Sequence, residues 1–294
     1  MGQSSIRSQL FVLMAAILWG TTGSAQAFAP QAANPIVIGA LRMAIGGTVL
    51  FSVAAINGSL KNKIKLDKKI VCIASACMTI YQPLFFMGVF KTGVALGTVL
   101  AIGSAPMFSG VIEYMMGHSP SKKWILATAI SIVGCIFLFG GQNSIDVNIL
   151  GTILSIGAGL SYAVYATVSR KLLQDSPRDV VNGCVFLISA ILLLPILIVN
   201  DLSWVLSTGG LMIVLHLGIV TTALAYTLFA YGLVHVPASK AVTLTLAEPL
   251  TAALLGVLVL KESITAISAI GIFLIFVGLI LNSCPEKRSK CLLH

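Results

Sequence analysis

The sequence predicts an all-α membrane protein: ten transmembrane helices in a 5+5 inverted repeat, with both termini cytoplasmic. Three observations lead there. Ten stretches are long and apolar enough to cross a bilayer, where a helix spanning ~30 Å of hydrocarbon needs about 20 largely apolar residues. Basic residues concentrate in alternate loops. Residues of the first half recur in order in the second. The spans are 9–29, 35–57, 70–90, 93–116, 123–141, 148–169, 178–199, 209–232, 237–260 and 264–283. Of 294 residues, 57% are hydrophobic and 9% charged, against about 25% charged in a globular domain. Almost nothing remains to build a soluble domain.

Span one follows Arg7 and is apolar to about residue 29. That run is longer than the core of a signal peptide and other spans follow directly, so it reads as a retained helix. Trp19-Gly20 lies mid-span, deeper than an interfacial aromatic belt, and its indole N–H needs a partner. Span two carries Arg42 about four residues, or ~6 Å, outside its middle. A guanidinium there stays charged. It pairs with an acid, holds a substrate carboxylate bidentately, or snorkels to the outer interface. The polar stretch 57–69 reads as an ordinary cytoplasmic loop, after which span three places Tyr81 and Gln82 near its centre, ahead of Pro83.

In span four Gly93, Gly97, Ala101 and Ala105 recur every four residues, Ser104 is central and Glu113 closes the cytoplasmic end. Span six has Gly151, Ser155 and Gly159 in the same pattern, with Tyr162 central. Such stripes let helices approach closely where lipid removes the usual hydrophobic drive. Thr222 is central in span eight, and Lys240 opens span nine on the cytoplasmic side. Glu113 and Lys240 either snorkel or form part of an inner gate.

Glu248 is the most informative residue, because it lies at the centre of the 24-residue span nine. An Asp at mid-membrane costs about 2.5–3.5 kcal/mol, and a Glu should pay a similar penalty. Such a carboxyl faces the bundle interior, where it bonds across helices, takes a substrate amine or exchanges a proton. Pro249 follows and disturbs the helix locally, freeing backbone groups for polar contacts. Tyr81, Gln82, Ser104, Tyr162 and Thr222 are each ordinarily helix–helix contacts. Together with Trp19 they are candidate walls of a central cavity.

The net charge of +9 is an orientation signal. Counted from a cytoplasmic N-terminus, the inner loops and tails hold fourteen Lys and Arg (Arg7; Lys61, Lys63, Lys65, Lys68, Lys69; Lys122, Lys123; Arg170, Lys171, Arg178; Lys287, Arg288, Lys290). The outer loops hold Lys91 and Lys261 only. This asymmetry places both termini in the cytoplasm and makes anionic membrane lipid, not nucleic acid, the partner of the basic surplus.

The internal repeat matches Gly88 with Gly232 and Gly134 with Gly278 at an offset of 144, and Pro106 with Pro249 at 143. Each half holds five spans, so the second copy enters the membrane from the opposite side, as in secondary carriers that rock about a central site. The halves meet at the short polar junction 142–147.

Other chemistries find no support in the chain. The six cysteines (Cys72, Cys77, Cys135, Cys184, Cys284, Cys291) form no CxxC pair and indicate neither a disulfide framework nor zinc. Cys291-Leu292-Leu293-His294 has the outline of a prenylation box, but His is an unusual final residue. His216 and His235 have no partner at metal-ligand spacing. No phosphate-cradling Gly-rich loop, HExxH or nucleophile elbow occurs, and no Asp lies in a span core. No cofactor, metal or catalytic residue is therefore expected, and the chain is not read as an enzyme.

Several pieces resemble ten-helix carriers of the drug/metabolite transporter superfamily built from two EamA-type domains. They are Trp19-Gly20, Leu41-Arg42-Met43, Ala105-Pro106, Tyr226, Ala247-Glu248-Pro249 and Leu260-Lys261-Glu262, over roughly residues 9–283. The resemblance implies EamA-like repeats at 9–141 and 148–283, a cytoplasmic tail at 284–294, and an inner-membrane carrier exporting amino acids or related small metabolites by alternating access. The first half departs from the family pattern. Ala105 stands where a Glu-Pro motif often occurs, Ser119 replaces a Glu frequent after span four, and span six reads Leu160-Ser161-Tyr162 without a second Trp-Gly. These departures weaken a symmetric two-carboxylate mechanism and throw the weight onto Glu248 alone. Glu248 would accept a proton or the substrate ammonium, while Arg42 would hold a carboxylate or balance Glu248. A passive facilitator and an importer of the same solutes remain alternatives, and the oligomeric state is left open.

Overall fold

The computed structural model describes residues 2–61, 66–140, 148–259, 261 and 265–284. The junction 142–147, the tail beyond Cys284, Lys63, Lys65, Leu260 and Glu262 lie outside the described residues.

Among the described residues there is no strand. The helices are α1 (Gly2–Ala27), α2 (Pro35–Ile56), α3 (Lys68–Thr92), α4 (Val94–Met115), α5 (Lys122–Gly140), α6 (Ile149–Asp175), α7 (Arg178–Val199), α8 (Thr208–Leu215), α9 (Ala225–Leu233), α10 (Ala238–Leu244), α11 (Ala247–Leu258) and α12 (Ala266–Ser283). A π-helical segment, His216–Leu224, joins α8 to α9 without a break. Nine helical stretches among the described residues are long and apolar enough to cross a membrane, counting Thr208–Leu233 and Ala238–Leu258 as one each. Helix α5 falls on the expected span 123–141 and is not among those nine.

Local chemistry sets the boundaries. Asn34, Asp67, Asn148 and Thr265 each turn a side-chain oxygen onto the first backbone N–H groups of α2, α3, α6 and α12, satisfying donors that a helix start leaves unpaired. Pro35 occupies the first turn of α2, where its missing N–H costs nothing. Gly93 separates α3 from α4 at φ 84°, a backbone conformation that favours glycine.

Span nine breaks at Thr245-Leu246, between α10 and α11. Pro249 has no N–H to return to the Thr245 carbonyl, which instead accepts from the Glu248 N–H at 2.8 Å. The Thr245 hydroxyl caps the preceding turn by donating to the Val242 carbonyl at 2.7 Å. The π register in span eight has no comparable signal in the sequence.

Small residues set the packing. A Cβ on Gly88 would lie 2.8 Å from the Ser155 backbone N, and one on Gly151 would meet Thr92 and Lys91, so α3 and α6 run antiparallel in close contact. Gly159 lies against Ser104 and Ala101, which brings α4 onto the same α6 stripe. Gly232 of α9 meets Ser8 and Val12 of α1. Gly47 faces Phe186 while Gly183 faces Phe51, which pairs α2 with α7. Gly134 and Gly271 face each other across α5 and α12, and Gly278 faces Ala127 and Ser131. Large apolar side chains such as Ile17, Ile80, Leu192, Phe273 and Phe276 point outward, as the lipid-facing surface of a bundle requires.

Gly278→Val should destabilise the fold. Its first added carbon would fall 2.8 Å from the Ala127 carbonyl and closer still to the Ser131 hydroxyl. Overpacking of this kind costs about 1–3 kcal/mol, which a lowered thermal midpoint in detergent would register.

Candidate functional site

A cavity of about 140 Å³ lies inside the bundle. That is well above the ~10–15 Å³ needed to hold one water, so it can take a small metabolite. Helix α1 contributes Trp19, Gly20, Thr22, Gly23 and Gln26; α3 contributes Tyr81, Phe85, Phe86 and Val89; α4 contributes Thr98, Ala101, Ile102 and Ala105. Arg42, Tyr162, Tyr226, Thr245, Glu248, Pro249 and Ala252 complete the wall. The two charged side chains of the wall, Arg42 and Glu248, come from helices far apart in sequence.

Glu248 is placed by the span-nine break. It falls in the first turn of α11, where the helix dipole favours a carboxylate. Helix α1 is drawn against this turn because Gly20 has no side chain. A Cβ there would lie 2.5 Å from Thr251 Cβ and 2.8 Å from the Glu248 carbonyl.

Arg42 is 7% exposed, with its donors directed into the bundle and not out to the interface. Its Nε donates to Thr222 Oγ1 at 3.1 Å and its Nη2 to the Thr221 carbonyl at 3.4 Å. These bonds go to the π segment and not to Glu248.

Trp19 supplies the aromatic centre. Its ring lies 4.8 Å from Tyr226, 5.4 Å from Phe229 and 6.1 Å from Tyr162 between centroids. Its Nε1 donates to the same Thr221 carbonyl at 2.9 Å, which meets the need of a buried indole. Tyr81 stacks on Phe85 at 5.5 Å and reaches Tyr162 at 6.0 Å. The Tyr162 hydroxyl has no hydrogen-bond partner among the described residues.

Trp19, Arg42, Tyr81, Tyr162, Glu248 and Pro249 thus share one wall, whereas four other expected positions do not. Gln82 is buried where α3 meets Gly39 of α2, and both ends of its amide lack a partner among the described residues. Ser104 lies at the α4–α6 contact and donates to the Ala101 carbonyl at 3.3 Å. Pro106 follows the wall residue Ala105 but is not itself on the wall. Thr222 stands behind Arg42. The polar wall residues Thr22, Gln26, Thr98 and Thr245 were not singled out from sequence, although each lies at helical spacing from a residue that was. Gln26 is seven residues from Trp19, and Thr245 three from Glu248.

The cavity reaches toward the C-terminal ends of α1 and α3 and the N-terminal half of α4. At the opposite end of α4, hydrogen bonds cross between helices. The Glu113 carboxylate accepts from both the hydroxyl and the backbone N–H of Ser239, at the start of α10. Arg170 Nε donates to the Val236 carbonyl at 3.0 Å, and Trp124 Nε1 to Thr243 Oγ1 at 3.0 Å. Glu113 therefore bonds within the bundle and does not snorkel.

The EamA-like transporter family matches this chain at residues 6–140 and again at 149–284. The uncharacterized transporter YwfM of Bacillus subtilis is 43% identical over 96% of this chain and 95% of the relative. The threonine/homoserine exporter RhtA of Salmonella typhimurium is 29% identical over 65% of this chain and 67% of its own length. A protein of known crystal structure overlays with a TM-score of 0.79 at 20% identity, covering 93% of this chain and 95% of that one, a likeness of fold. Matched in both halves, this multi-pass membrane protein belongs to the EamA-like transporter family.

Proposed function

We propose that this transporter is a ten-helix carrier of the plasma membrane. It exports an amino acid or a related zwitterionic metabolite by alternating access between two inverted five-helix repeats. The observation that carries the reading is the shared cavity of Arg42 and Glu248 under a wall of aromatic rings. A guanidinium suits a carboxylate, a carboxylate suits an ammonium or a coupling proton, and apolar rings suit a short side chain. The similarity to a threonine/homoserine exporter favours the same class of solute.

The pattern of close helix contacts supports the inverted repeat. Exchanging the halves sends the α3–α6 contact through Gly88 to the α9–α1 contact through Gly232. The same exchange returns the α2–α7 and α5–α12 contacts to themselves. With both termini cytoplasmic, the end of the cavity toward the C-termini of α1 and α3 faces outward. The Glu113–Ser239 contact then lies on the cytoplasmic side as part of an inner gate.

Purified protein screened against amino acids and polyamines should be stabilised by a zwitterionic amino acid. A ligand at 100 Kd adds about 2.7 kcal/mol to the native state, and liposomes loaded with that ligand should release it with saturable kinetics. A blank across the amino acids with a clear shift for amines alone would overturn the zwitterion assignment. Non-saturating release would favour a passive facilitator.

A further inference from the structure

Thr222 and the Thr221 carbonyl sit at an unusual place in the backbone. Both belong to the π segment, a form that is rare in helices and occurs frequently at functional sites. Both threonine hydroxyls donate to one acceptor, the Leu217 carbonyl, at 2.9 Å from Thr221 and 2.8 Å from Thr222. The Thr222 oxygen thereby turns its lone pairs away from Leu217, and one receives Arg42 Nε. The Thr221 carbonyl takes donors from two other helices, Trp19 of α1 and Arg42 of α2. A further tie to α1 joins Thr21 Oγ1 and His216 Nε2 at 2.9 Å.

Arg42 thus has its Nε and one Nη2 hydrogen committed to the π segment. Its Nη1 has no hydrogen-bond partner among the described residues, while the side chain borders the cavity.

We infer that Thr222, with the Thr221 carbonyl, is a positioning group that aims the free edge of the Arg42 guanidinium at the carboxylate of the transported solute. The inference rests on the reading of the solute as a carboxylate-bearing amine, and it assigns to the π segment the selection of acids over their carboxylate-free analogues. Anchoring a long side chain in advance removes much of the ordering cost of binding. Trp19 and Arg42 donate to the same carbonyl, so one segment holds both the aromatic wall and the charge.

The test compares wild type with Thr222→Val, which keeps the shape and removes the hydroxyl, and Thr222→Ser, which keeps the hydroxyl. The probes are L-threonine and 1-aminopropan-2-ol, the same molecule without its carboxylate. Thr222→Val should weaken L-threonine binding about tenfold or more, as expected for losing a hydrogen bond to a charged group. The amine should bind that variant as it binds wild type, and Thr222→Ser should retain most of the affinity for L-threonine. Equal loss for both probes, or no loss, overturns the inference.

A second readout needs no solute. Phenylglyoxal should modify Arg42 severalfold faster in Thr222→Val than in wild type or Thr222→Ser, with exposed Arg7 as internal standard in the peptide masses. Equal Arg42 rates would also overturn the inference. If wild type binds neither probe while the labelling difference appears, the amino-acid reading fails and the positioning role stands.

Discussion

Glu248→Gln should abolish gradient-driven transport, by about a hundredfold or more, while the protein folds as before. Glutamine keeps the size and hydrogen-bonding reach of the carboxyl and removes its charge. The stability side of this expectation follows from the membrane setting, because an acidic group near mid-bilayer carries a cost of several kcal/mol that its function must outweigh. Removing the charge relieves that cost, so the thermal midpoint should hold or rise. The functional side follows from pairing with the solute. A bound ammonium that meets a neutral amide has lost its buried counter-charge, a loss of about 3–5 kcal/mol, and each 1.4 kcal/mol is tenfold in affinity. If Glu248 holds the substrate ammonium, binding itself disappears. If it carries the coupling proton, solute exchange at zero gradient survives and only uphill movement is lost. Measuring both modes in liposomes separates the two roles, and normal uphill transport by the variant would remove Glu248 from the mechanism.

The apolar spans were legible because bilayer thickness dictates their length, and helices α2, α7 and α12 match expected spans to within two residues. Arg42, Glu248 and Trp19 were legible for the complementary reason: a charge or an indole N–H within hydrocarbon has few places to go. The direction in which a neutral residue points was much harder to read. In a soluble helix the polar face marks the outside, but a membrane helix is apolar toward lipid and toward its neighbours alike. Gln82 and Ser104 were therefore placed by depth alone, and depth does not separate the cavity from the α3–α2 and α4–α6 contacts where they lie. Helical spacing from the charged and aromatic anchors carries the missing information. Phe85 and Val89 continue from Tyr81, and Ala252 from Glu248, at intervals of four. The π register was illegible for another reason. It is set by two adjacent threonines sharing one carbonyl, and by an arginine that comes from 180 residues away.

Gly46→Ala should be far more damaging than its chemistry suggests. Gly46 lies one turn beyond Arg42 on α2, where that helix crosses the π segment. A Cβ there would fall 2.4 Å from Thr222 Cγ2, 2.6 Å from Thr222 Cβ and 2.9 Å from the Gly218 carbonyl. Rotating a side chain cannot relieve a clash with a backbone carbonyl, so α2 and the π segment must separate. From the other side, Gly218 is equally tight, because its own Cβ would meet Ile45 Cβ at 2.6 Å. The separation costs about 1–3 kcal/mol of stability as overpacking. It also lengthens the 3.1 and 3.4 Å bonds that hold Arg42, each of a class worth about 1.5–3 kcal/mol when one partner is charged. Solute binding should therefore fall by an order of magnitude or more, beyond what the loss of folded protein accounts for. Gly103→Ala in α4 is the matched control. A Cβ there meets only Val99 Cγ1 at 4.0 Å, and replacing an unstrained glycine in a helix contributes about 0.4–1 kcal/mol of stability. Thermal midpoints of the two variants should thus move in opposite directions. Equal midpoints with unchanged binding would mean that α2 and the π segment tolerate separation, and that Arg42 is not held by their close approach.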